Sequence, residues 1–326
     1  MSERVRTVLF GVGAIGAGIG RLAAERDEIE LAGAIDSAPD KAGTPMYDEL
    51  AIAPRAGAPN PPIAADADEA LASLRPQLVL QATGSYLPDV LPQLIACARA
   101  GANVVSTCEE LSYPWQRHPE LARQLDAQAK SAGVTVLGTG INPGFIMDTL
   151  AATISGVCQR VEQVRVARIV DVSTRREQLR RKVGVGLTVE EFRERAATGR
   201  FGHVGLPESC RLLAGALGWE LESLEETLDP VVGPDGKAAG QLQRAIAKAN
   251  GRTVIEATVQ MSTDVDAARD EIEIDGTPPV RLVLEGGVPG DGATASVVLN
   301  AARHVVEHAP GLVTMLDLPP ISGRGV

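Results

Sequence analysis

Two hydrophobic patterns alternate along the first 145 residues. Short apolar runs predict strands, and apolar residues three or four positions apart predict helices. The predicted strands are residues 4–10, 29–35, 77–81, 103–105 and 134–137. The predicted helices are residues 14–26, 68–74, 88–100 and 119–132, and four prolines make residues 53–65 an irregular loop. Strands that alternate with helices predict a parallel sheet covered by helices on both faces.

After Gly144 the apolar runs become longer and richer in β-formers. They predict strands at 161–172, 253–261, 272–274 and 280–284, followed by a helix at 293–308. The predicted fold class is α/β: a Rossmann-type parallel sheet domain plus a second α+β domain with an open mixed sheet. We expect residues 1–145, joined by the C-terminal segment 294–326, to bind a dinucleotide. We expect residues 146–293 to bind substrate and form a dimer.

The strongest motif is the glycine-rich segment Gly11–Gly16, which follows the first predicted strand and opens a helix. In a dinucleotide fingerprint the first glycine permits the turn, the second admits the pyrophosphate, and the third lets helix and strand pack closely. Asp36 ends the second strand, 20 residues after Gly16, where its carboxylate can accept the ribose hydroxyls. Its charge favours NAD, while Ser37 and Lys41 leave use of NADP open. A ligand-free glycine turn is the weaker alternative.

Small residues follow the strand that ends at Gln81. Because parallel sheets bind ligands at the carboxyl ends of their strands, we expect the dinucleotide to pass over this segment. The alternative is an ordinary turn. The cofactor-binding residues predicted from all these segments are Gly11, Gly13, Ala14, Ile15, Gly16, Asp36, Ser37, Ala82, Thr83, Gly84, Thr107 and Asn142.

Two adjacent carboxylates, Glu109 and Glu110, follow the strand 103–105. A carboxylate partly desolvated beside a nicotinamide could have a raised pKa and act as acid and base. The alternative is that both residues begin a helix, whose dipole favours acids. Spacing alone leaves these two interpretations open.

Asn142 and His203 are candidate binding residues farther along the chain. Asn142 follows the strand 134–137 and could hold a carboxamide, although its segment could also be a hinge between domains. His203 lies between glycines, so it could reach a substrate or be an exposed loop residue. A run of basic residues could bind a substrate carboxylate, but a solvated helix face or a subunit contact is the favoured interpretation; the run comprises Arg175, Arg176, Arg180, Arg181 and Lys182.

Composition narrows the class of protein. The net charge of −11 disfavours nucleic acids and anionic membranes as partners. No apolar run approaches the roughly 20 residues of a membrane span. Arg4 and Arg6 precede an apolar segment that resembles a secretory signal, but five glycines between Gly11 and Gly20 argue against it. We therefore expect a soluble, cytoplasmic protein.

Cysteine and histidine spacing gives no support for a metal site. The four cysteines form no C-x-x-C pair, so neither a zinc knuckle nor a disulfide framework is indicated. His304 and Glu307-His308 match the H-x-x-E-H pattern of zinc peptidases, but nothing nearby in sequence offers a third ligand. We expect no bound metal.

The chain resembles the 2,4-diaminopentanoate dehydrogenase family and the related native amine dehydrogenases, within the dihydrodipicolinate reductase-like superfamily. The resemblance covers nearly the whole sequence. It rests on residues 11–16, 34–36, 106–114, 140–145, 202–209 and 290–319. It implies reversible reductive amination, in which a ketone or aldehyde, ammonia and reduced cofactor give a primary amine. It also implies a homodimer, a last helix that rejoins the first domain, and a glutamate that handles ammonia. By position that glutamate is Glu109, with Glu110 as the fallback.

The chain departs from dihydrodipicolinate reductase itself. That enzyme has paired histidines followed by a lysine, whereas none of the four histidines here is adjacent to another. Its substrate is therefore not carried over. Two alternatives to an amine dehydrogenase remain: a 2,4-diaminopentanoate or other amino-acid dehydrogenase, which needs a cation for the carboxylate, and a cofactor-binding regulator without catalysis.

Overall fold

The computed structural model describes residues 4–175 and 177–325 and divides into two compact units. The first unit contains the chain up to Ile141 and again from Gly290 onward. The second unit is Asn142–Pro289. These limits lie within four residues of the domain boundaries expected from the sequence. Elements are numbered in chain order below.

The first unit is built on a six-stranded sheet whose strands all run parallel, in the order β12-β5-β4-β3-β1-β2. The strands are β1 Val5–Phe10, β2 Ile29–Ile35, β3 Leu78–Gln81, β4 Asn103–Ser106, β5 Thr135–Gly138 and β12 Gly311–Val313. The helices are α1 Ala14–Ala24, α2 Met46–Glu49, α3 Ala67–Leu74, α4 Leu87–Arg99, α5 Pro119–Ala132 and α10 Gly290–Glu307, with a 3₁₀ turn at Glu109–Ser112.

Successive side chains of the parallel strands point to opposite faces, and both faces are buried. On one face Leu9 and Leu80 pack with α1 and α10 around Val298. On the other, Val8 and its neighbours pack with α4 and α5. Burial on both faces explains why these strands are nearly continuous apolar runs. Because the strands are packed on both faces, the segments that follow them are also held in place.

The second unit contains a six-stranded mixed sheet in the order β11-β10-β6-β9-β8-β7, in which only the β6–β9 pair is parallel. Its strands are β6 Arg160–Asp171, β7 Ser223–Val232, β8 Ala238–Ala249, β9 Arg252–Ser262, β10 Arg269–Thr277 and β11 Val280–Glu285. Its helices are α6 Thr149–Ser155, α7 Glu177–Lys182, α8 Val189–Ala196 and α9 Leu206–Leu217. Together the two sheets confirm the predicted fold class.

The mixed sheet has two different faces. Val164, Val166 and Ala257 lie on a buried face, and α9 packs on β8 and β9. The alternate positions of β6 and β10 carry ion pairs instead: the Arg165 guanidinium lies 3.1 Å from Glu273 and 2.7 Å from Asp275. Within the described residues, no helix is long and apolar enough to cross a membrane.

Candidate functional site

The segments that follow three parallel strands, β1, β3 and β4, are held against the ends of neighbouring strands at the carboxyl edge of the first sheet. Gly11 N–H donates to Ile35 O at 2.8 Å, and Ala82 N–H donates to Phe10 O at 2.7 Å. Thr107 N–H donates to Gln81 O at 2.9 Å. These bonds continue the sheet by one residue beyond its strands, at the edge where doubly wound sheets bind ligands.

Each glycine of the fingerprint has a distinct geometry. Gly11 has φ +92°, and a Cβ there would lie 2.6 Å from Ala82 O. A Cβ on Gly16 would lie 1.9 Å from Gly11 O, so α1 packs against the β1 loop too closely for any other residue. A Cβ on Gly13 would meet nothing within 4 Å. The space over Gly13 is therefore what a pyrophosphate would need.

The first turn of α1 fits an anion. Gly13 is its N-cap and supplies no side-chain cap, and the first turn contains no acidic residue. Ala14 is exposed and Ile15 half-buried at the start of the helix. The unpaired N–H groups and positive dipole end of such a helix bind phosphates. These residues fit the diphosphate of a nicotinamide dinucleotide.

Asp36 is fixed beside the glycine loop. Its Oδ2 accepts the Val12 N–H at 2.8 Å and its Oδ1 accepts the Ala38 N–H at 3.0 Å. Lys41 Nζ lies 3.7 Å from the same carboxylate and donates to Val12 O at 2.7 Å. Ser37 is exposed next to Asp36. A carboxylate, an ammonium group and a hydroxyl thus lie together where the adenosine ribose of a bound dinucleotide would lie.

Polar side chains link the ends of β3 and β4, a feature that the sequence analysis missed. Ser106 Oγ donates to Gln81 Oε1, and Gln81 Nε2 donates to Gln93 Oε1 at 3.0 Å. Thr83 is exposed and its hydroxyl also bonds Gln93. Ala82 and Gly84 are half-buried on either side of it, and Thr107 is half-buried after β4. The sequence did contain a signal for this polar cluster, because the apolar strand β3 ends with the polar residue Gln81.

Glu109 and Glu110 begin the 3₁₀ turn but have different surroundings. Glu110 is 2% exposed, and its carboxylate accepts the Leu87 N–H at 2.8 Å. It also pairs with Arg117 Nε at 3.0 Å and His118 Nε2 at 2.8 Å. Glu109 is half-buried at the carboxyl edge of the sheet. Glu110 therefore makes contacts inside the protein. Glu109 is the more accessible of the two carboxylates.

Thr139, directly after β5, was not singled out by the sequence analysis. Its N–H donates to Ser106 O at 2.9 Å, and its hydroxyl oxygen is buried without a hydrogen-bond partner in the part of the chain that the structure describes. A buried polar atom without a partner is costly. It points to a ligand group at the same edge of the sheet.

In the second unit Asn142 and His203 are joined. Asn142 Nδ2 lies 3.0 Å from His203 Nε2, and Ser209 Oγ lies 3.3 Å from Asn142 Oδ1. Burial, and then the charges of Lys182 and Arg168, lower the pKa of His203 to about 3. His203 is therefore a neutral imidazole held by an amide rather than an exposed loop residue.

The basic run is divided between a pocket and the surface. Arg175 and Arg168 line a cavity of about 290 Å³ that also contains Asp171 and Asp270. Arg176 lies outside the described residues. Arg181 pairs with Glu177 on α7, a helix that has no buried residue. Arg181 and Lys182 are exposed and Arg180 is half-buried on α7. Of the described residues of the run, Arg175 lines the cavity.

The H-x-x-E-H segment lies at the end of α10. His308 Nδ1 bonds Ala309 O at 2.9 Å, and Arg303 Nε donates to His304 Nε2 at 3.2 Å. Among residues 4–175 and 177–325, no three His, Cys, Asp or Glu side chains form a group that could hold a metal. Both histidines have protein partners.

Known proteins resemble the chain over its whole length. The model of the 2,4-diaminopentanoate dehydrogenase C-terminal domain matches residues 145–323. The 2,4-diaminopentanoate dehydrogenase of Acetoanaerobium sticklandii is 30% identical over an alignment of 334 positions. The alignment covers 97% of this chain and 94% of that protein. The structure of an amine dehydrogenase from Mycobacterium smegmatis superposes with a TM-score of 0.87 at 28% identity, over 99% of this chain and 98% of that one.

A more distant protein shares the fold. A dipicolinate-bound dihydrodipicolinate reductase from Paenisporosarcina sp. TG-14 superposes with a TM-score of 0.55 at 13% identity, over 96% of this chain and 98% of that one. The resemblance inferred from the sequence motifs is confirmed. The chain therefore belongs to the 2,4-diaminopentanoate dehydrogenase family and is an NAD(P)-binding dehydrogenase.

Proposed function

We propose that the protein catalyses the reversible, NAD(P)-dependent reductive amination of a ketone or aldehyde with ammonia to a primary amine. The observation that carries this proposal is the half-buried Glu109 carboxylate at the ligand-binding edge of the sheet, next to the buried Glu110. The names of the two relatives, a 2,4-diaminopentanoate dehydrogenase and an amine dehydrogenase, support the reaction class.

Glu109 is the proposed catalytic and substrate-binding residue. Its carboxylate holds ammonia, takes up and returns protons while water leaves the carbinolamine, and stabilises the positive charge of the iminium. When bound, the dinucleotide supplies the hydride that reduces the iminium carbon. Partial burial of Glu109 strengthens its attraction for the cation, because the local dielectric is lower than that of water.

We propose that the first unit binds the dinucleotide through the residues predicted from the fingerprint and the strand ends. Gly13 and the start of α1 receive the diphosphate, and Asp36 receives the ribose. The Asp36 charge favours NAD over NADP because it repels a 2′-phosphate. Lys41, 3.7 Å from Asp36, and the exposed Ser37 can each approach that phosphate, so we propose NAD as the preferred cofactor with NADP as a second one.

We propose that the second unit binds the substrate through His203 and Asn142. The neutral imidazole of His203 can donate one hydrogen bond to a substrate oxygen without repelling the iminium cation. Asn142 orients the ring from its other nitrogen.

A second candidate substrate is an amino acid such as a diaminopentanoate. The cavity lined by Arg175 and Arg168 favours it, because a guanidinium group pairs well with a carboxylate. Arg168 is already paired with Asp270 at 2.8 Å, so Arg175 would be the binding group. If Arg175→Gln raises KM for amino acids but not for simple amines, the substrate carries a carboxylate; an equal effect on both excludes this role.

We also propose that the protein is a cytoplasmic homodimer formed through the second unit. Its four cysteines are free thiols, as expected in a reducing compartment. The remaining alternative is a regulator that binds the cofactor but has no catalysis.

The decisive assay is oxidation of primary amines and amino acids, followed by the formation of NADH or NADPH. We expect turnover with a simple primary amine and, in reverse, ammonia-dependent consumption of NADH with the matching ketone. Tight binding of NADH with no turnover of any amine or amino acid would contradict the proposal and favour a regulator.

A further inference from the structure

Four polar side chains of the second unit form one continuous chain. Asp148, the N-cap of α6, lies 2.6 Å from Ser209 Oγ of α9. Ser209 Oγ lies 3.3 Å from Asn142 Oδ1, and Asn142 Nδ2 lies 3.0 Å from His203 Nε2. Asp148 and Ser209 are completely buried, and Asn142 is 8% exposed. The chain therefore runs from a carboxyl group shielded from water to the proposed substrate-binding imidazole.

The contact between Asn142 and His203 fixes the protons of the ring. An amide nitrogen only donates, so Nε2 of His203 must be the unprotonated acceptor. A neutral ring then carries its proton on Nδ1. Burial and two nearby cations, Lys182 and Arg168, lower the pKa of His203, which agrees with a neutral ring.

The orientation of the Asn142 amide decides which tautomer His203 adopts. A carboxamide rotated by half a turn would present Oδ1 to the imidazole and favour the opposite tautomer. Oδ1 instead faces the hydroxyl of Ser209. Ser209 has a single hydrogen to donate, and both Asp148 and Asn142 are within reach of it.

The protonation of Asp148 decides where that hydrogen goes. The carboxyl group already accepts the Gly144 N–H at 2.9 Å and the Thr149 N–H at 2.6 Å. If Asp148 holds a proton, it donates to Ser209, and Ser209 is then free to donate to Asn142. Complete burial raises the pKa of Asp148, while the hydrogen bonds from Gly144, Ser209 and Thr149 lower it, and burial is the larger effect. When Asp148 is protonated, every donor points along the chain from Asp148 towards His203.

We propose that Asp148 and Ser209 are positioning residues that hold the Asn142 amide in one orientation and thereby keep His203 as the neutral Nδ1–H tautomer. The Nδ1–H group is the single donor that His203 offers to the oxygen of a carbonyl substrate; this last role rests on the proposed function. An uncharged donor selects an oxygen acceptor and does not repel a cationic iminium.

The tautomer can be measured in the full chain without any ligand. Long-range ¹H–¹⁵N correlation spectra of ¹⁵N-histidine-labelled protein show which ring nitrogen carries the proton. The chain has four histidines, and the signals that disappear in His203→Asn belong to His203. We expect Nδ1 to be protonated and Nε2 unprotonated. A predominant Nε2–H tautomer in the unaltered protein would overturn the proposal, whatever the enzyme's activity.

Variants test the positioning residues separately. Ser209→Ala removes the group that orients the amide, so we expect a mixture of tautomers. Asp148→Asn keeps a donor next to Ser209 and should retain the original tautomer, whereas Asn142→Asp places an acceptor against Nε2 and should invert it. Ser155→Ala is the matched control, because Ser155 is also buried in this unit and its hydroxyl donates to Ala152 O. An unchanged His203 spectrum in both Ser209→Ala and Asn142→Asp would refute the proposal.

Kinetics of the same variants test the role of the donor. If His203 binds a carbonyl oxygen, Ser209→Ala should lower kcat/KM for the ketone by about ten-fold, and Asp148→Asn should lower it much less. A tautomer change without any kinetic change would overturn the substrate role while leaving the positioning role intact.

Discussion

Glu109 and Glu110 are adjacent residues with the same side chain, but Glu110 is buried and Glu109 is half-buried. Glu110 is enclosed by Arg117, His118 and the Leu87 N–H. Removing one member of such a buried group leaves the others without a partner, which costs about 1–3 kcal/mol. Asp36 is also held by protein contacts, since two backbone N–H groups fix its carboxylate beside the glycine loop. At the scale of a residue, burial distinguishes Glu110 from Glu109 and Asp36, which are both half-buried.

The first residue-scale prediction concerns cofactor preference. Asp36→Ala removes the charge that repels a 2′-phosphate and leaves Lys41, which lies 3.7 Å from it. We expect the ratio of kcat/KM with NADPH to that with NADH to rise by about ten-fold or more, the factor that corresponds to a charge-assisted hydrogen bond. Lys41→Ala is the matched variant and should lower the same ratio. An unchanged ratio in Asp36→Ala would show that Asp36 does not contact the ribose.

A second prediction concerns pH and His203. The folded pKa of about 3 lies below the ordinary value of 6.5, so between these values the unfolded chain binds a proton that the folded protein does not. Stability should therefore fall as pH falls through this window, by at most about 1.4 kcal/mol per pH unit. Urea unfolding at about pH 7 and about pH 5 measures the loss, which should be smaller in His203→Asn. If the stability falls equally in His203→Asn and in the unaltered protein, the lowered pKa of His203 is contradicted.

At the scale of elements, the strand–loop–helix unit of β1 and α1 separates folding from ligand binding. A Cβ on Gly16 would lie 1.9 Å from Gly11 O, whereas a Cβ on Gly13 would meet nothing. The third glycine of the fingerprint therefore serves packing within the protein. The second keeps space open at the start of the helix, where the N–H groups would face the diphosphate of the proposed cofactor.

The prediction for this element compares two substitutions. Gly13→Ala should leave the melting temperature nearly unchanged and weaken NADH binding at least about ten-fold, because the methyl group occupies the space for the diphosphate. Gly16→Ala should destabilise the fold by about 1–3 kcal/mol through overpacking. Thermal unfolding and NADH fluorescence titration separate the effects. Equal NADH affinity in Gly13→Ala and the unaltered protein would show that the diphosphate does not bind at Gly13.

The sequence could predict the first unit because its elements carry local signals. Residues 29–35 and 119–132 were predicted with the observed limits of β2 and α5. It missed β7 and β8. The segment 238–249 is rich in alanine and has few β-branched residues, and it becomes a strand only by pairing with β7 and β9. The contacts of Glu110 and the chain from Asp148 to His203 join residues far apart in sequence, which no local pattern shows.

At the scale of the whole molecule, the two units carry different chemistry. The first has the geometry of a dinucleotide site at one sheet edge, and the second has a buried polar chain on one side of its sheet and ion pairs on the other. The sequence predicts that residues 146–293 form a dimer. The charges around Arg165 mean that a partner on that face would make a largely polar contact.

The prediction at this scale is a homodimer through the charged face of the second sheet. Light scattering at micromolar concentration should give twice the chain mass. Ala167→Glu places a charge in β6, a strand inside this sheet, and should shift the mass towards one chain without changing the circular dichroism spectrum. A monomer in the unaltered protein would contradict the prediction.

The most direct test of the central claim is the amine oxidation rate of Glu109→Gln, measured together with NADH binding and with Glu110→Gln as the matched control. General acid–base catalysis contributes about 10²–10⁴-fold, so we predict a loss of at least ~100-fold in kcat for Glu109→Gln with NADH affinity unchanged. Glu110→Gln should mainly lower stability, because its carboxylate is paired inside the protein. Near-normal turnover in Glu109→Gln would contradict the account, and a collapse in Glu110→Gln alone would move the catalytic role to that residue.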